Sequence, residues 1–304
     1  MHKYLPSLFG VAGLLLGITL VFVFTASTPP DKTPARAQVE DAPVNCFKPI
    51  PKGLTFAGEE VPIDDIEVYE RLDREIHVNT YFHSSTIQKI KLAARWFPVI
   101  EPILKKNGIP DDFKYLAVAE SGLLLDAASP AGAKGMWQFL SSTGKEYGLT
   151  VNNYRDDRYH PELATEAACR YLQDAYDHFG NWTLVAAAYN MGRSGLERDL
   201  SKQEVESYYD VLLNSETSRY VFRILALKAI LSDPASYGFC YEATDLYEPW
   251  AFTTVTVDTT ISDLVTFAKQ NNTTYKTLKY YNPWMRSDKL VLSAGDTVKI
   301  KLPA

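Results

Sequence analysis

The sequence predicts a mainly α protein, with a helical domain over residues 66–245 followed by a small βααβ module over residues 250–303. Three observations predict it. Between Val68 and Leu231 apolar residues recur at the 3.6-residue spacing of amphipathic helices. Beyond Tyr247 the pattern changes to the alternating β-branched run Phe252-Thr-Thr-Val-Thr-Val257, then two short helical stretches, then Thr297-Val-Lys-Ile-Lys-Leu302 after Gly295-Asp296. Finally, 304 residues at 46% hydrophobic content can bury one sizeable core and a second, smaller one.

Taken in order, Leu5–Ala26 carries no charge and follows Lys3, so residues 1–26 read as a signal peptide or a membrane anchor, and either would export the rest of the chain. Residues 27–65, rich in Pro, Ala, Thr and mixed charge, read as a linker or extended arm. Helices are expected over Ile87–Lys105 (on Ile90, Ala94, Phe97 and Ile100), Asp111–Glu120, Pro161–Phe179, Thr183–Asn190 and Ser218–Leu231. Start signals agree: Pro110-Asp-Asp precedes Phe113, and Pro161 opens the next helix at its first turn.

A net charge of −6 and a pI near 5.5, without a basic tract, exclude a protein built to track phosphate backbones, so no nucleic-acid partner is expected. Among three cysteines, Cys169 falls in an apolar helical pattern, while Cys46 and Cys240 flank the helical region; export leaves two readings open, a Cys46–Cys240 disulfide or three free thiols. The histidines lack the paired spacing of a zinc site, and no cofactor is implied. Ser194, in Gly192-Arg-Ser-Gly195, reads as a loop residue rather than a nucleophile.

The chemistry-bearing pattern is Glu120-Ser121-Gly122, then Ala131-Gly-Ala-Lys-Gly-Met-Trp-Gln138, then Ala188-Tyr189-Asn190-Met-Gly192. Glu120 ends the apolar stretch Phe113–Ala119. Apolar walls disfavour the charged carboxylate and keep a proton available near neutral pH, as protonation of a glycosidic oxygen requires. Ser121 can orient that carboxyl. Gln138, Tyr189 and Asn190 supply donors and acceptors suited to acetamido sugars, while Trp137 reads as core.

In order and spacing these segments resemble the three motifs of the soluble-lytic-transglycosylase catalytic domain, a lysozyme-like helical fold that cleaves peptidoglycan. The resemblance spans about residues 85 to 235 and, through Glu216-Thr-Ser-Arg-Tyr220-Val, points to the membrane-bound transglycosylase D branch. The tail resembles LysM, a peptidoglycan-binding module. It implies Glu120 as acid and then base at the MurNAc–GlcNAc bond, releasing a 1,6-anhydromuramoyl end. It also implies Ser121 as orienter, and Gln138, Tyr189, Asn190 and Tyr220 lining the cleft or supporting the acid. The implied partner is peptidoglycan glycan, in the periplasm or cell envelope.

Three departures stand out: Leu123-Leu-Leu125 where a Phe-Asn-Pro-like segment is common, a shortened Asp258-Thr-Thr260 turn, and Asn271-Asn272 where the module commonly has Tyr-Gly. Asn282-Pro283 is expected to close the module's second helix. Two alternatives remain open. A hydrolytic muramidase would need a second carboxylate, for which Asp126, Asp156 and Asp157 are the candidates, although Asp156 and Asp157 also read as anchors of the following turn. The other is a noncatalytic glycan-gripping envelope protein.

Overall fold

In the computed structural model, residues 47–304 are described. The anchor or signal segment and Cys46, with the question of its pairing to Cys240, lie outside them. Among the described residues no helix is long and apolar enough to cross a membrane.

The first elements among the described residues form a hairpin of two-residue strands, β1 (Thr55–Phe56) against β2 (Glu59–Glu60). Its turn, Ala57-Gly58, places both residues at positive φ, the backbone twist that tight hairpins need. Here the expected arm over 27–65 is corrected at its described end. Leu54, Phe56 and Val61 are buried in the main core, Phe56 at 0% exposure. Glu59 also accepts from the Trp182 and Thr183 amides at 2.6 and 2.9 Å. Strands this short leave no periodicity to read.

Ten helices follow among the described residues. α1 (Ile66–Tyr81) is capped by the Asp65 side chain, which accepts from the Glu67 and Val68 amides. α2 (His83–Lys106) is longer than expected and accommodates Pro98 and Pro102. α3 (Phe113–Ser121) ends at Gly122, whose left-handed φ of 63° suits a helix C-terminus. α4 (Ser141–Glu146) is short. Asp156 and Asp157 do anchor a turn: the Asp156 side chain caps the 3-10 turn Asp157–Tyr159.

α5 (Pro161–Phe179) runs between the expected bounds, from Pro161 to the left-handed Gly180. α6 (Trp182–Met191) leads through Gly192 into α7 (Arg193–Gln203). Ser194 is therefore in the first turn of a helix rather than a loop. Glycines on both sides, with only Leu196 and Leu200 buried, had hidden the helical pattern. α8 (Thr217–Ser232) is the central element, burying Tyr220, Val221, Phe222 and Ile224 through Leu227. α1, α3 and α6 pack on it, and α2 and α6 pack on α5. That burial of apolar area, at roughly 25 cal/mol per Å², is the main force holding the domain together.

The C-terminal unit pairs β3 (Phe252–Val257) antiparallel with β4 (Val298–Pro303), in register Val257↔Val298 through Phe252↔Pro303. Between them lie α9 (Leu264–Gln270) and α10 (Tyr275–Tyr281). Asn282 does close α10. Fully buried, its amide donates to the Leu278 and Lys301 carbonyls at 2.9 and 2.7 Å and accepts from the Lys301 amide at 2.8 Å, pinning the helix end to β4.

Candidate active site

Glu120 sits in the last turn of α3, and Tyr220, on the central helix α8, donates its hydroxyl to Glu120 Oε1. One hundred residues of chain separate the pair, and the packing of α3 on α8 brings it together. Glu120 keeps a part-exposed edge, while protein replaces most of its water. Burial raises its pKa to about 7. The Tyr220 hydrogen bond and Arg223 act to lower it, and Glu216 to raise it, but desolvation dominates. A carboxyl balanced there is about half protonated at neutral pH, so it can give a proton as an acid and take one back as a base.

Tyr189, at the end of α6, donates to the Trp137 carbonyl at 2.7 Å. The Tyr189 and Tyr220 hydroxyls are both held well above the usual tyrosine pKa, by burial first and then by Glu120, so they remain donors. Ser121 donates to the Met136 carbonyl at 2.8 Å and more weakly to the Ala117 carbonyl at 3.3 Å, so its contacts link the Glu120 helix to the 131–139 loop rather than to the carboxylate. Gln138 donates to the Gly135 carbonyl at 2.8 Å from a left-handed backbone with φ 50°. Asn190 accepts from the Thr217 hydroxyl at 2.8 Å, tying α6 to the start of α8. Glu120 and Tyr220 thus touch directly, Tyr189 and Ser121 both bind the loop, Gln138 holds the loop's own backbone, and Asn190 joins α6 to α8.

Trp137 is core, with its indole N–H on the Thr165 hydroxyl at 2.9 Å. Leu123 is likewise fully buried, whereas Leu124 is exposed. Asp126 is exposed. Asp156 is bound by Arg158 at 2.7 Å and Asp157 by Arg155 at 2.7 Å, so neither is a free base.

Sequence reasoning missed Arg158. Its guanidinium forks onto Asp156 and donates through Nη1 to the Gly132 and Phe139 carbonyls, both at 3.1 Å, spanning the loop from behind. Gly135 shows how tight that junction is: a Cβ there would lie 1.8 Å from the Arg158 carbonyl oxygen. The Asp156-Asp-Arg158 run carried the only signal. It could not announce partners that are main-chain carbonyls.

Two family models match separate parts of the chain. Residues 97–211 match the transglycosylase SLT domain and residues 253–304 the soluble lytic transglycosylase C-terminal LysM-like domain, so the chain carries both. Among named relatives, membrane-bound lytic murein transglycosylase D of Escherichia coli (strain K12) is 30% identical over 199 residues, covering 62% of this chain and 43% of that protein. The peptidoglycan transglycosylase gp16 of Escherichia phage T7 is 38% identical over 105 residues, 34% of this chain and 8% of that protein. The chain spans less than half the length of these relatives. Among solved structures, the 70 kDa soluble lytic transglycosylase Slt70 of Escherichia coli aligns at 22% identity and TM-score 0.38, over 59% of this chain and 33% of that one.

Proposed function

We propose that the chain is a peptidoglycan lytic transglycosylase of the cell envelope. Residues 66–245 would be its catalytic domain, 250–303 a LysM-like glycan-binding module, and 1–26 a signal or anchor. The observation that carries this reading is Glu120, a carboxyl held near pKa 7 by burial and steadied by Tyr220, inside an SLT domain.

In the proposed reaction, neutral Glu120 gives its proton to the glycosidic oxygen between MurNAc and GlcNAc as the C1–O bond breaks. The resulting carboxylate then takes the proton of the MurNAc 6-hydroxyl as O6 bonds to C1. The products are a free GlcNAc 4-hydroxyl and a 1,6-anhydro end, no water is consumed, and Glu120 returns to its starting state. One carboxylate suffices, because the substrate supplies its own nucleophile. Tyr220 steadies the anionic form between the two steps, Ser121 and Tyr189 hold the loop that faces it, and Gln138 and Asn190 shape the cleft.

Hydrolysis draws less support, since Asp156 and Asp157 are engaged by arginines and only the exposed Asp126 is left as a second carboxylate. Mass spectrometry of the soluble products from sacculi tests the proposal. Anhydromuropeptides that disappear in Glu120→Gln are expected. Reducing-end products would replace the transfer mechanism with hydrolysis, and retained sacculus binding without products would leave a glycan-gripping protein.

A further inference from the structure

The LysM-like unit is bonded to the segment that carries Arg158. Residues 154–156 and 284–286 form a short antiparallel bridge, in which the Asp156 amide donates to the Trp284 carbonyl at 2.9 Å and the Arg286 amide to the Tyr154 carbonyl at 2.8 Å. Tyr159, from the helical unit, is buried within the small unit's own core beside Trp284 and Met285, with the Arg286 guanidinium 4.2 Å over its ring. Lys301 of β4 forms an ion pair with Glu162 in the first turn of α5. A cavity of about 240 Å³ is also lined jointly by Leu123–Asp126, the segment that follows α3, and by Trp250, Lys279 and Tyr280.

From this bridge a series of hydrogen bonds, joined by short runs of chain, reaches Ser121, which follows Glu120 in α3, and Tyr189. Trp284 and Arg286 fix residues 154–156, and the Asp156 carboxylate fixes the Arg158 guanidinium with two bonds of 2.9 and 2.7 Å. Arg158 holds the two ends of the loop through Gly132 and Phe139, and its own carbonyl abuts Gly135. The loop in turn grips Ser121 through Met136 and Tyr189 through Trp137, the residues beside the Glu120–Tyr220 pair. Asp156 and Arg158 are 6% and 7% exposed, so their charges are bound in a low-dielectric setting where geometry is held firmly.

We propose that the LysM-like unit is a structural part of the catalytic site, with Asp156 and Arg158 as positioning residues that carry its docking to the 132–139 loop. A tethered glycan-binding module would bring substrate near and change KM. This one sets the geometry around Glu120 and therefore changes kcat. The kinetic half of the proposal rests on the reading of Glu120 as the acid.

Two variants of the full chain test it. Arg158→Lys keeps the charge and removes the fork. It is expected to lower kcat about tenfold or more, with KM within about twofold, because small misplacements of reacting groups are costly. Amide exchange at Lys134 and Gly135, whose N–H groups are bonded to the Phe139 and Ala127 carbonyls, should rise in parallel. Lys301→Glu sets two acids against each other across the junction. It should raise exchange at Asp156 and Arg286 and then at Lys134 and Gly135, with a several-fold fall in kcat, and the swap Lys301→Glu with Glu162→Lys should restore both. Wild-type loop exchange in either variant overturns the proposal, as does a change in KM without one in kcat. If the wild-type chain yields no glycan products, it is the reading of Glu120 that fails, and the exchange measurement, which needs no substrate, still decides on the coupling.

Discussion

Glu120 and Glu162 are the same residue in two enclosed settings, and their pKa values are pushed in opposite directions. Burial raises Glu120 to about 7. Burial also acts to raise Glu162, but His160, whose Nδ1 lies 3.1 Å away, and Lys301 overcome it and leave the carboxyl at about 2. The two sites differ in their partners. Glu120 has one neutral hydroxyl as its nearest partner and Arg223 only as a weaker influence, whereas Glu162 touches a lysine and an imidazole directly. Desolvation alone makes an acid that keeps its proton, and adding a contacting cation turns the same side chain into a permanent anion that joins two units.

The largest expected effect breaks the comparison on function. Glu120→Gln should lower turnover of peptidoglycan by about 10³-fold, the scale of a lost general acid and base, whereas Glu162→Gln should retain measurable turnover. Equal losses in steady-state assays of the two purified variants would show that Glu120 is not set apart by its chemistry.

On stability the order reverses. A folded pKa of about 7 against 4.5 in the unfolded chain means that the folded state holds the extra proton between those values. The stability from Glu120 is fully present below pH 4.5 and lost as pH rises through 7, a swing of about 3 kcal/mol at most. Glu120→Gln removes that dependence, so the variant should match wild type at pH 4 and exceed it by about 2 kcal/mol at pH 8 in chemical denaturation. Glu162 carries the opposite sign, contributing stability above pH 4.5 that is lost as pH falls toward 2. Glu162→Gln should cost about 1 to 2 kcal/mol at pH 7, moderated by solvent at its open edge, and progressively less in acid. A deficit that persisted unchanged at pH 2 would assign the loss to packing rather than to the ion pair.

The two carboxylates also differed in how far they could be read in advance. Glu120 was legible because everything that tunes it locally lies in sequence: an apolar helix before it, a glycine to end that helix and an apolar run after it. α5 was legible for the same reason, with Pro161 and Gly180 as its punctuation. Tyr220 was legible only through resemblance, since no local pattern predicts a contact across one hundred residues. Glu162 and its junction were not legible, because Lys301 lies in an alternating strand that reads as half solvent-facing, yet it is buried and paired with Glu162 of α5. Arg158 was hidden for a related reason: it binds carbonyl oxygens, which every residue has.

The smallest expected effect concerns the partner that separates the two sites. Tyr220 donates to the Glu120 carboxylate and so favours the charged form, opposing desolvation. Removing the hydroxyl in Tyr220→Phe withdraws a hydrogen bond to a charged group, a loss of roughly 1.5 kcal/mol or about one pKa unit, and Glu120 should titrate that much higher. The pH–rate profile of kcat/KM should move upward by about one unit, with a fall in kcat because the anion left after the first proton transfer is less well stabilised. A profile that stays in place while kcat falls would mean that Tyr220 acts on the sugar rather than on the acid. A profile that moves downward would mean that the hydroxyl binds the protonated form, and then the contrast with Glu162 would rest on desolvation and the distant charges alone.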